Sequence, residues 1–318
     1  MNANAIIETD NVTVRFPRPS GQDIVAVRAV NLFVASRETV ALVGESGSGK
    51  TTLGHTLVRL LRPSAGKVWF HGRDVSLIHG TALARYHGDA QLIFQDPFAS
   101  LNPFHTVSYH LQRPLRRLRR LGRSEAQEMA RELLTRVGLT PATTYQDRYP
   151  HELSGGQRQR VAIARALAAD PTFIVADEPV SMLDVSLRAG ILRLLMSLQA
   201  QQGLSYLYVT HDLASARYLA QRIAVMYGGS IVEVANAEDL IRRSAHPYTQ
   251  LLLAASTGTL GTDLPETQQV APDLSQGRRG CPFAPRCPVV MPICHEEMPE
   301  PVAVGPNHVA ACFRVHSE

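Results

Sequence analysis

The chain has 318 residues, of which 45% are apolar and 19% charged, and its formal net charge is +4. This is an ordinary balance for a folded protein large enough for one main domain and a smaller piece, and so mild a charge excludes nothing about nucleic acid unless it is concentrated. No run approaches the ~20 apolar residues that span a bilayer, and the start lacks the basic-then-apolar pattern of a secretion signal, so a cytoplasmic location is expected.

In chain order, short strands are expected over residues 6–43 and 67–70. Val40–Val43 is a buried strand running into Gly44-Glu45-Ser46-Gly47-Ser48-Gly49-Lys50-Thr51, and Thr52–Leu61 is a helix leaving it. That octet fits G-x-x-x-x-G-K-[ST] at every fixed position. Glycines let successive N–H groups curl around a phosphate, and the following helix start adds its positive end. Lys50 is placed to reach the β- and γ-phosphates and Thr51 to ligate Mg²⁺. The octet therefore predicts a nucleoside triphosphate site.

Helical patterning dominates residues 107–137. Leu111, Leu115 and Leu118 recur at helical spacing between Arg113, Arg116, Arg117, Arg119, Arg120 and Arg123, which predicts an amphipathic helix with a basic outer face. That face is either simply solvated or directed at a membrane or nucleic acid. Ser154, Gly155 and Gly156 open a further helix, for which they are an adequate cap. Phe173–Asp177 is an apolar strand ending in Asp177-Glu178. Chemistry gathers at the carboxyl ends of parallel strands, so Asp177 is assigned to Mg²⁺ and Glu178 to the attacking water. Strand and helix alternate from residue 173 onward.

All four cysteines, Cys281, Cys287, Cys294 and Cys312, fall in a proline-rich tail with the spacing C-x₅-C-x₆-C-x₁₇-C. Two disulfides fit the count, although a cytoplasmic address disfavours them. A four-thiolate zinc site, an iron–sulfur cluster and free thiols are the other readings, and the spacing suits neither the usual zinc pairs nor the ferredoxin patterns.

The string Leu153-Ser154-Gly155-Gly156-Gln157, more than a cap requires, resembles the signature of the ATP-binding-cassette (ABC) ATPases without a mismatch. The resemblance spans about residues 6–255. It implies a RecA-like α/β core with a P-loop, an antiparallel β-subdomain and a helical subdomain. It also implies Gln95 as the residue sensing metal and γ-phosphate, His211 as the switch contacting the γ-phosphate, and Asp184 in the loop that signals across a dimer, with Met182 where alanine is commonest. Phe16 is implied as the aromatic stacking on adenine. Glu45, Ser46, Ser48 and Thr52 join the ATP contacts, and Ser154, Gly155, Gly156 and Gln157 of one cassette are expected to close over ATP held head-to-tail by another.

His246-Pro247-Tyr248-Thr249, Ser100-Leu101-Asn102-Pro103, Arg148-Tyr149-Pro150-His151 and the cysteine tail resemble the ATPase subunits of oligopeptide, dipeptide and nickel importers. This implies a cassette over 1–256 and an importer-type extension over 257–318, in which some members hold a [4Fe–4S] cluster; on that ground the cluster is favoured over zinc. It further implies a second ATPase chain, two integral permeases and an extracytoplasmic solute-binding protein as partners, with the chain peripheral on the cytoplasmic side of the inner membrane. The rival is a soluble ABC-type ATPase working on nucleic acid or ribosomes. Such proteins usually carry two cassettes, whereas one phosphate loop and one signature stand here, so nucleic acid is not expected as a partner.

Overall fold

The computed structural model describes residues 2, 4–19, 21–256, 274 and 279–316. In chain order the strands are β1 (Ala5–Phe16), β2 (Ile24–Ala35), β3 (Thr39–Val43), β4 (Ala65–Phe70), β5 (Arg73–Asp74), β6 (Ala90–Ile93), β7 (Phe173–Asp177), β8 (Ser205–Thr210), β9 (Arg222–Tyr227), β10 (Ser230–Asn236), β11 (Val302–Gly305) and β12 (His308–Ala310). The chain divides into two compact units, one of residues 1–76 with 208–318 and one of residues 77–207.

In the first unit β2, β1, β4 and β5 make an antiparallel sheet in that order. A second layer runs β11-β12-β10-β9-β3, antiparallel except for the parallel pair of β3 with β9. All five residues of β3 are buried, as its unbroken Thr-Val-Ala-Leu-Val run requires of a strand covered on both faces. The helix after it, Lys50–Leu57, is shorter than the predicted 52–61. Arg59 adopts a left-handed φ of 59° and Pro63 follows, so the chain turns before Leu61.

The tail is built onto β10. Glu233 is 1% exposed, and its carboxylate accepts the backbone N–H groups of Ala245 (2.7 Å) and His246 (3.0 Å) and lies 2.7 Å from His308 Nε2 on β12. A buried carboxylate with three partners is stabilising only while all remain. Glu233→Ala is therefore expected to cost about 3 kcal/mol or more, read as a lowered midpoint in urea denaturation.

In the second unit β6 and β7 pair in parallel, and every residue of β7 is buried. Three longer helices dominate it besides Val185–Gln202: Val107–Arg117, Arg123–Arg136 and Gly155–Leu167. The predicted basic face exists, with Leu111 and Leu115 fully buried and Arg113, Arg116 and Arg117 outward. Leu118 departs from the expectation: the helix ends at Arg117, Arg120 turns left-handed (φ 59°), and Leu118 is left exposed. Arg123 begins the next helix instead of continuing the same face.

Candidate functional site

The phosphate loop is braced from below and open above. A Cβ on Gly49, whose φ is 104°, would lie 2.1 Å from the Ala26 carbonyl oxygen, so only glycine permits this approach. At Gly47 (φ 77°) a Cβ would meet nothing within 4 Å, which marks the exposed crest where a ligand could lie. The helix beginning at Lys50 has no side-chain cap on its first N–H groups, the arrangement that suits an anion.

Lys50 is 4% exposed, and Nζ donates to the carbonyls of Gly44 (2.9 Å) and Glu45 (2.7 Å) and to Ser48 Oγ (3.3 Å). The ammonium thus holds the loop in the curl that a phosphate needs. Ser46 and Thr51 are exposed, and Thr52 is half-buried beside them. Phe16 ends β1 with 39% of its surface exposed, so it is not a core aromatic. His211 follows β8 and is exposed; Asp212 next to it caps the helix Leu213–Leu219 by accepting from Ala214 N (2.9 Å) and Ser215 N (3.2 Å).

Glu45 is tied to the C-terminal part of the chain. Its N–H donates to the Tyr248 hydroxyl at 2.9 Å, and its carboxylate is forked by Arg286, with Nη1 at 2.7 Å from Oε2 and Nη2 at 3.0 Å from Oε1. Burial works against the Arg286 charge, but the hydrogen bonds to Glu45 and Tyr227 outweigh it and the proton is held more tightly than usual. Neither Tyr248 nor Arg286 was singled out as a loop contact by sequence reasoning. Tyr248 stands in the His246-Pro247-Tyr248-Thr249 motif and Arg286 directly precedes Cys287, and that is the available signal.

In the second unit Asp177 closes β7 and is 2% exposed. Glu178 follows with a left-handed φ of 42°, an uncommon conformation for a non-glycine that recurs where a side chain is aimed for a task. Its carboxylate accepts from Gln95 Nε2 at 3.2 Å, so two of the predicted catalytic residues meet. Asp184 caps the helix Val185–Gln202, accepting from Leu187 N (2.9 Å) and Ser186 Oγ (2.7 Å), and these bonds hold its carboxyl below the usual range.

At the signature, Ser154 Oγ accepts from Gln157 N (3.3 Å) and Gln157 Oε1 accepts from Ser154 N (2.9 Å). Gln157 is thus part of a capping box, a structural use the sequence reading did not give it. A Cβ on Gly156 would stand 3.2 Å from Leu187 Cδ1, so that side chain would have to shift slightly to admit it.

The four cysteines are all free thiols and line one small cavity with His246 and Phe283. Burial pushes the Cys281 thiol up to about 11 and raises those of Cys287 and Cys312 as well, while burial lowers His246 to about 4. Among the described residues no group of three or more His, Cys, Asp or Glu side chains is arranged to hold a metal ion. The expected [4Fe–4S] cluster, and equally zinc, thus find four soft donors but no formed cage.

Loop, strand and helix together define a P-loop α/β domain that grips a nucleoside triphosphate. A family model described as ABC transporter matches residues 27–181, and one described as the C-terminal region of oligopeptide/dipeptide transporters matches residues 232–294. The oligopeptide transport ATP-binding protein AppF of Bacillus subtilis is 40% identical over 323 residues, covering 98% of each chain. A putative peptide import ATP-binding protein of Brucella ovis is 44% identical over 289 residues, covering 90% of each. Among solved structures, the dimeric post-hydrolysis state of the ATP-binding cassette MJ0796 bound to ADP and Pi is 31% identical with a TM-score of 0.67, covering 73% of this chain and 98% of that one. This chain belongs to the ABC transporter family, among its ATP-binding subunits, and it is an ATPase with a RecA-like P-loop fold. No helix among the described residues is long and apolar enough to cross a membrane.

Proposed function

We propose that this chain hydrolyses ATP to energise a binding-protein-dependent importer of peptides. The observation that carries the reading is the braced phosphate loop, with Lys50 curled into it, in a chain whose tail matches the oligopeptide/dipeptide transporter C-terminal region. Its partners are two integral permeases, an extracytoplasmic binding protein and a second cassette lying head-to-tail, and its place is peripheral, on the cytoplasmic side of the inner membrane. The cassette extends over 1–256 and the importer-type extension over 257–318.

In this mechanism Lys50 and backbone amides of the loop and the helix start after it grip the phosphates, and Phe16 stacks on the adenine. Thr51 of the first unit and Asp177 and Gln95 of the second are the residues that would hold Mg²⁺, which would neutralise charge on the phosphates when bound. Glu178 orients the attacking water, and Gln95, already hydrogen-bonded to it, reports whether the γ-phosphate is in place. His211 stabilises the charge that develops on that phosphate. Ser154, Gly155, Gly156 and Gln157 close over the nucleotide of the facing cassette, with Asp184 at the same junction.

Tagged chain purified from membranes tests the reading. Co-purification with integral permeases, and ATPase activity raised by a peptide-loaded binding protein, support it. Salt-sensitive retention of RNA or DNA without permeases would favour the nucleic-acid rival.

The four tail thiols are proposed to receive a metal centre, [4Fe–4S] ahead of zinc, on the ground that four undisulfided thiols surround one cavity. Iron and acid-labile sulfide in anaerobically purified protein are the expected result. Zinc without iron would reverse the choice, and neither metal would overturn both.

A further inference from the structure

Outside the catalytic groups, the structure holds one concentration of polar contacts aimed at the phosphate loop. All three polar parts of Glu45 are engaged: Lys50 Nζ takes its carbonyl, the Tyr248 hydroxyl takes its N–H, and Arg286 forks its carboxylate. Two of these three restraints come from the C-terminal part of the chain. Arg286 itself has little freedom. Its side chain is 9% exposed against 35% for that of Glu45, it bonds the Tyr227 hydroxyl at 3.2 Å, and its guanidinium lies 5.6 Å from the Tyr227 ring centre and 5.9 Å from that of Phe283. The rings of Tyr227, Tyr248 and Phe283 sit within 4.5–5.4 Å of one another and are fully buried or nearly so. The fork is thus mounted on a rigid aromatic base that spans β9 and the tail.

A bidentate guanidinium–carboxylate pair fixes orientation as well as distance, which a lysine cannot reproduce. Glu45 is the second residue of the octet and its carbonyl is a Lys50 acceptor. Turning Glu45 would displace the oxygen that holds the ammonium, and with it the curl of the loop.

We propose that Arg286 is a positioning residue for nucleotide binding: by forking Glu45 it holds the phosphate loop in its gripping shape, and so makes the cysteine-bearing tail part of the ATP site's support. The proposal rests on the reading of the Lys50 loop as the nucleotide site. Arg286 acts through Glu45 and Lys50 and is not itself a catalytic residue.

The test is a double-mutant cycle of Arg286→Met and Glu45→Gln in the full chain with its membrane partners. MgATP affinity is read with trinitrophenyl-ATP, and kcat and KM are read by phosphate release. Each single change is expected to raise KM and the dissociation constant about tenfold, with the double change no worse than the weaker single. At saturating ATP, kcat of Arg286→Met should fall by less than KM rises, because Glu178 and the water it orients are not supported by this pair. Arg286→Lys should recover only part of the loss.

Glu45→Gln guards against misfolding, since its side chain is partly exposed and the change preserves its length. A lowered melting temperature with unchanged KM in both variants would show a purely structural pair and overturn the proposal. So would additive effects in the double variant. If the wild-type chain itself binds no nucleotide, the site assignment fails first and takes the proposal with it.

Discussion

Replacing Glu178 by Gln is expected to lower kcat for ATP hydrolysis by about 10²–10⁴-fold while nucleotide affinity is retained. The side chain leaves the end of a fully buried strand through a residue with φ 42°, so its direction is fixed by the backbone and not by a flexible loop. Gln has the same length, and its carbonyl oxygen can still accept from Gln95 Nε2, which stands 3.2 Å from the carboxylate. What is lost is the negative charge that polarises a water. Binding relies on other groups, the loop amides and Lys50, and should survive. Phosphate release and equilibrium binding on the same preparation read the two effects apart. Unchanged turnover would place the base elsewhere.

Gly49→Ala is expected to weaken nucleotide binding about a hundredfold. The new methyl would stand 2.1 Å from the Ala26 carbonyl and 2.8 Å from Met226 Cε. The methionine end can move, but the β2 backbone cannot move without disturbing its pairing with β1. A φ of 104° is also strained for any L side chain. Overpacking and strain together amount to about 3 kcal/mol, enough to shift MgATP affinity by about a hundredfold if the loop yields rather than the sheet. Titration with a fluorescent ATP analogue reads this, and circular dichroism should show the sheet intact. Wild-type affinity in the variant would mean the loop is not held against Ala26 as described.

Residues whose chemistry is contiguous were legible from the chain alone. The strand entering the phosphate loop, the octet itself and Asp177-Glu178 each announce themselves within about ten residues, because alternation, glycine spacing and acid placement are local properties. What depended on distant partners was not. Nothing local in the sequence marks Glu233 as buried; His308, seventy-five residues on, and two backbone amides supply its partners. Glu45 reads as a variable position of the octet and turns out to be the anchor for Arg286, 241 residues away. Gln157 carries a family meaning in sequence and a capping-box role in space, and only geometry reveals the second. The cysteine spacing leaves disulfides, zinc, a cluster and free thiols open, and only the family resemblance favours a cluster; the folded tail gathers the four thiols around one cavity, with no metal-holding group among the described residues.

Saturable binding of radiolabelled MgATP by the assembled complex, compared with the same complex carrying Lys50→Ala, tests the account at its base. Lys50 Nζ bridges Gly44, Glu45 and Ser48, so its loss should both open the loop and remove the phosphate's counter-charge. The account predicts tight binding in the first case and loss of binding at this subunit in the second. Equal binding by the two would contradict it.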